Sequence, residues 1–135
     1  MSAGAQIPKL NSYSAAPAVI FLDFDGQYVQ GTSWNWSGPI NAQSSGLSSA
    51  AITEIFNRVA EDYRIFNLNI TTDSTVYASA PPTKRTRVVV TTTYEWYGMA
   101  GGVAYVGSFT WGDDTPGWVF SGLLNYNVKK IAEAI

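Results

Sequence analysis

The sequence has no cysteine and no histidine. Without cysteine there is no disulfide framework and no thiolate chemistry. Without histidine, Ser-His-Asp and Cys-His catalysis are excluded, as is any histidine-ligated metal site built from this chain alone. Charge is sparse: 13% of residues are charged, against 46% hydrophobic, and the formal net charge is −2. That balance fits a lightly charged globular domain and argues against binding a phosphate backbone, so no nucleic-acid partner is expected. Lys84, Arg85 and Arg87 form the one basic cluster, and it reads as a solvated loop end before a strand. No apolar run reaches the length of a membrane span, so no membrane partner is expected. Residues 1–8 lack the charged and apolar regions of a signal peptide.

At 135 residues the chain is long enough for one domain with a real core. Its clearest pattern is Ile52, Ile55, Phe56, Val59 and Tyr63. Spacings of three and four residues put these on one face of a helix over about 48–64. Ser48 and Ser49 stand where an N-cap belongs. The period then changes to two: Phe66, Leu68 and Ile70 alternate with Asn67, Asn69 and Thr71, which predicts a strand over about 66–72.

Around this unit, residues 1–17 are small and polar and read as a flexible arm. Ala18 to Phe24 is a near-continuous apolar run, closed by Asp25 and Gly26, and suits a buried central strand. Residues 27–47 read as a long connection anchored by Trp34 and Trp36. Residues 73–86, with Pro81 and Pro82, read as a loop. Arg87 to Thr93 is β-branched and predicts a third strand. Val103 to Phe109 alternates around Gly107, as an edge or bulged strand does. A short strand over 118–121 follows. Val128, Ile131, Ala132 and Ile135 then mark a second helix, capped by Asn125 or Asn127. The expected fold is α/β, with a mixed, mostly parallel, five-stranded twisted sheet and two helices in the order β-α-β-β-β-β-α. The last helix reaches Ile135 without a stop signal, which predicts a domain incomplete at that end. Apolar surface at Val128, Ile131 and Ile135 is then expected to be exposed and to favour self-association.

Two constellations carry candidate chemistry. Asp23 and Asp25 end an apolar strand as Asp-x-Asp-Gly, which resembles the first motif of haloacid-dehalogenase-like phosphatases. There one Asp attacks phosphorus, the other is general acid/base, and both help hold Mg²⁺. Thr91–Thr93 and Gly112-Asp113-Asp114 imitate that family's later motifs. The lysine it needs between them is missing, since no Lys or Arg lies between Arg87 and Lys129. The alternative for Asp23 and Asp25 is a strand-end pair that meets backbone N–H groups or a structural cation. Asp113 and Asp114 sit in an Asx-type turn and are further candidates for calcium. Trp34, Trp36, Trp96, Trp111 and Trp118 are either core and loop anchors or the stacking platform of a non-enzymatic glycan- or peptide-binding module.

A more extended likeness runs through Asp23-Phe-Asp-Gly26, Ile55-Phe-Asn-Arg-Val-Ala-Glu-Asp-Tyr63 on to Asp73, Arg87-Val-Val-Val-Thr91, Gly101-Gly-Val-Ala-Tyr-Val-Gly107 and Ile131-Ala-Glu-Ala-Ile135. Over about 17–135 the chain resembles the N-terminal, upper subdomain of metzincin-type zinc metallopeptidases, closest to secreted bacterial members. The Glu61–Asp73 segment is the most specific part. The resemblance implies that residues 18–135 form one metallopeptidase-like subdomain and that the full-length parent is a secreted zinc endopeptidase. The family's zinc motif, H-E-x-x-H-x-x-G-x-x-H, would begin one or two residues past Ile135. Glu133 precedes it and is not the catalytic glutamate. The chain itself would then carry no cofactor and no catalytic residue, with zinc expected in the parent. It would contribute the antiparallel edge strand that pairs with substrate: Val103, Ala104, Tyr105 and Val106, with a peptide or protein as partner.

Overall fold

The computed structural model describes residues 7–104 and 115–135. Its main sheet has five strands: β1 (Ala18–Asp23), β4 (Leu68–Thr71), β5 (Arg85–Thr91), β6 (Gly102–Val103) and β7 (Gly117–Phe120). They lie in the order β4-β1-β5-β7-β6. The first four are mutually parallel, while β6 runs antiparallel to β7. The mixed, mostly parallel α/β sheet expected from sequence is therefore present. Two further strands, β2 (Gln27–Val29) and β3 (Ile40–Ala42), form a separate antiparallel hairpin.

Period-two alternation sorts the side chains of β1, β5 and β7 onto two faces. Ile20, Leu22, Phe24, Val90 and Val119 join one core. Helices α1 (Ser49–Asp62) and α3 (Val128–Ala134) cover it. Ile52, Ile55, Phe56 and Val59 of α1 are buried there, each contributing about 1.5–3 kcal/mol. The Ser48 hydroxyl caps α1 by accepting from the Ala51 N–H at 3.1 Å. On the other face, Val89, Trp118 and Phe120 pack with Val29, Trp34, Ile40 and Ala42 of the hairpin region. Helix α2 (Ser74–Ser79) covers that same face beside β1, with Tyr77 5.5 Å from Phe21, ring centre to ring centre.

Several expectations need correction. There are three helices, not two, and the hairpin adds strands that the order β-α-β-β-β-β-α omits. Helix α2 forms inside the expected 73–86 loop because Asp73 caps it, accepting from the Thr75 N–H at 3.0 Å. The 27–47 connection holds β2 and β3, whose three-residue strands are too short to leave a period. Arg85 and Arg87 are not a solvated loop end. Both lie within β5 with their guanidiniums over the Tyr77 ring, at 4.5 and 4.8 Å. The apolar face of α3 is also not laid bare, since Ile131 and Ala132 are buried against α1 and Val128 and Ile135 are half-buried.

Part of the stretch read as a free arm makes specific contacts. Leu10 and Thr72 exchange hydrogen bonds, Ser12 N–H donates to the Ile70 carbonyl, and Asn11 bridges antiparallel to Thr71. The buried Asn69 amide oxygen accepts from both Ser12 and Tyr13 N–H groups, while its nitrogen donates to Asn11. The outer side of β4 is thereby occupied by the chain itself.

Candidate functional site

The other end of the sheet is different. Among the described residues β6 pairs only with β7, through Gly102↔Val119 and Val103↔Trp118. The Phe120 N–H donates to the Gly101 carbonyl at 2.9 Å, so positions 101 and 103 turn their backbone groups inward. By alternation Gly102 and Ala104 present N–H and C=O outward, where no described strand lies. Of the expected substrate-pairing residues, Val103 is in β6 and Ala104 follows it, exposed. Tyr105 and Val106 lie outside the described residues, as do Asp113 and Asp114. Gly102, Val103 and Ala104 border a groove of about 270 Å³, which Ala134 and Ile135 at the end of α3 also line. The groove takes in Val88 and Val119 from the helix-covered face of the sheet and adjoins the open edge of β6.

The Asp-x-Asp pair sits elsewhere, at the carboxyl end of β1. Asp23 is 2% exposed, and its Oδ1 has no hydrogen-bond partner. Arg87 Nε lies 3.6 Å from Asp23 Oδ2, too long for a hydrogen bond. Burial pushes the Asp23 carboxyl up to about 8, helped by hydrogen bonding and charge repulsion from Asp25 and opposed by Arg87. The protonated form then dominates at neutral pH, which leaves Arg87 beside an acid rather than in a full ion pair.

Ligands of open α/β sheets usually bind at the carboxyl ends of strands where the strand order reverses. Here that is between β1 and β5, and residues 43–45 cross it. Ser45 N–H donates to the Phe24 carbonyl, Thr91 Oγ1 donates to the Gln43 carbonyl, and Ser121 Oγ donates to the Ser45 carbonyl. Gly26 makes this close approach feasible: at φ +92°, an added Cβ would sit 2.9 Å from the Ala42 carbonyl oxygen. A buried, protonated Asp23 is poorly suited to attack phosphorus, which weighs against the phosphatase alternative.

Trp34 and Trp118 are core anchors, as one of the two sequence alternatives holds. Trp34 Nε1 donates to the Pro116 carbonyl at 2.6 Å. Trp96 packs on both Trp34 and Trp118, and Trp36 is the member left mostly exposed. Trp111 lies outside the described residues.

No group of three or more histidine, cysteine, aspartate or glutamate side chains is placed to hold a metal among the described residues. The residues present do not fit a zinc site, because the chain offers neither imidazole nor thiolate. No described helix is long and apolar enough to cross a membrane. Comparison with family models, curated proteins and solved structures gives no match.

What sequence reasoning missed at this site is which two backbone positions face outward. The hydrogen-bond phase of a two-residue strand has no side-chain signature.

Proposed function

We propose that this chain is the substrate-positioning upper part of a metzincin-like, secreted zinc endopeptidase. The open antiparallel edge of β6, beside a groove that the end of α3 also lines, carries this assignment. An extended peptide entering there would pair with Gly102 and Ala104, and the pairing depends on backbone rather than side chains. The five-stranded sheet with one antiparallel outer strand, and the helix after its last strand, are arrangements the family resemblance implies, and both support the assignment. The opposite edge of the main sheet is covered by residues 10–12, which leaves β6 as the side of that sheet available to a partner among its described strands.

The chain's own part is to bind and orient substrate. Among the described residues lining this groove none is able to activate water for peptide hydrolysis, and Val88, Val103, Val119 and Ile135 provide apolar walls. The zinc ligands and general base would come from residues beyond Ile135. The test is to read the gene past the Ile135 codon. A histidine-glutamate-x-x-histidine run within a few codons, continuing the helix, is the expected result. A stop codon there overturns the assignment.

A further inference from the structure

The carboxyl end of β1 holds an arrangement that peptide pairing at β6 does not use. Asp23 and Asp25 stand close enough for the Asp25 carboxyl to act on that of Asp23. Two carboxyl groups that close are relieved by a proton held on one of them, or by a cation that displaces that proton. Arg87 serves Oδ2 of Asp23 from 3.6 Å. Oδ1 is buried and receives no hydrogen bond. A buried carboxylate oxygen without a partner is costly, so its persistence calls for a ligand.

Both residues border a cavity of about 230 Å³, whose lining also includes Thr72, Asp73 and Ser74. These side chains offer oxygen and no nitrogen or sulfur. Asp25 is exposed, which gives an ion a path from solvent. Lys9 also borders the cavity, but its charge acts on Asp73 and is not among the influences on Asp23. Asp73 already uses Oδ1 to accept from Thr75, so it can offer only its other oxygen, directly or through water.

We propose that Asp23 and Asp25 seat one hard divalent cation, calcium by preference, in this cavity. Asp23 Oδ1 and the Asp25 carboxylate are its protein ligands, and neighbouring oxygens and water complete the shell. Calcium accepts about six to eight oxygens in flexible geometry and tolerates a site with few carboxylates, at modest affinity. Magnesium demands a tighter octahedron and holds its own water, so it competes poorly in a roomy cavity. The cation would lock the end of β1 against the turn at Gly26 and the 43–45 crossing. Its role would be structural and independent of substrate pairing at β6.

The experiment is thermal unfolding of the chain, first stripped with chelator, then titrated with calcium chloride or magnesium chloride, alongside calorimetric titration with calcium alone. The expected result is one calcium bound per chain, a melting temperature that climbs with calcium concentration, and a smaller rise with magnesium. Asp25→Asn changes an exposed side chain and should leave the fold intact while abolishing the calcium-dependent rise. Asp23→Asn should do the same if it folds. An unchanged melting temperature across chelator, calcium and magnesium overturns the proposal. So does calcium binding that Asp25→Asn leaves at full strength, because the ion would then sit elsewhere.

Discussion

Val103 pairs with Trp118 across the antiparallel step from β6 to β7, and the N–H of the next residue, Ala104, points away from the sheet. This phase separates two substitutions that look alike in the sequence. Val103→Pro would remove a hydrogen bond that holds β6 in the sheet, whereas Ala104→Pro would remove a donor that faces outward.

Ala104→Pro is accordingly expected to weaken binding of extended peptides while leaving the melting temperature within a few degrees of wild type. The preceding residue is already extended, as a residue before proline prefers. Fluorescence anisotropy with a labelled peptide, paired with a melt, checks this. Undiminished peptide binding would remove Ala104 from the pairing edge.

Asp23 sets an expectation for pH. Its folded-state value of about 8 lies above the ordinary 3.8. The folded protein therefore keeps a proton that the unfolded chain releases. The contribution is complete below about pH 4 and disappears as pH rises toward 8. In chelator, wild type should lose stability over that range relative to Asp23→Asn, by a few kcal/mol as an order of magnitude. Urea unfolding of both proteins at pH 5 and pH 8 measures it. Parallel pH profiles would contradict it.

Asn69 ties the N-terminal segment to β4 through Asn11, Ser12 and Tyr13. Asn69→Ala removes three hydrogen bonds at a buried position, at a cost of about 2–3 kcal/mol. Residues 8–13 should then become readily cut by protease, while cleavage elsewhere stays slow. Limited proteolysis with mass spectrometry reads this directly.

Gly26→Ala should destabilise by at least about 1–3 kcal/mol, because alanine is strained at φ +92° and its Cβ would meet the Ala42 carbonyl. Gly31→Ala serves as the control. Gly31 also has positive φ, but nothing stands within 4 Å of its added Cβ. The difference between the two urea midpoints isolates the cost of the close approach.

Much of the sheet and both long-pattern helices were legible, for a local reason. Ile52, Ile55, Phe56 and Val59 repeat often enough to declare a helix face, and Val88–Val90 can hardly be anything but buried strand. Residues 40–42 declare nothing, because three residues have no measurable period and their partner lies across a loop. Helix α2 left a faint mark in Asp73 followed by Ser74 and Thr75, a capping pattern that Pro81 and Pro82 obscured. Arg85 and Arg87 misled because composition describes charge, while their surroundings depend on Tyr77 arriving from another element. At the candidate site, a strand at Val103 was legible, but the outward-facing residues depend on how β6 meets β7. The same limit applied to Asp23: the motif was visible, and its burial beside Arg87 was not.

The unequal edges of the sheet also constrain how copies of this chain could meet. Strand addition needs a free backbone on both participants, and the main sheet of each molecule offers one such margin among its described strands. Two molecules joined β6 to β6 would use up both margins at once. A third copy would then find nothing to extend. Assembly through the sheet would stop at a closed pair rather than grow into a fibre, and loss of the segment at residues 10–12 would remove that stop.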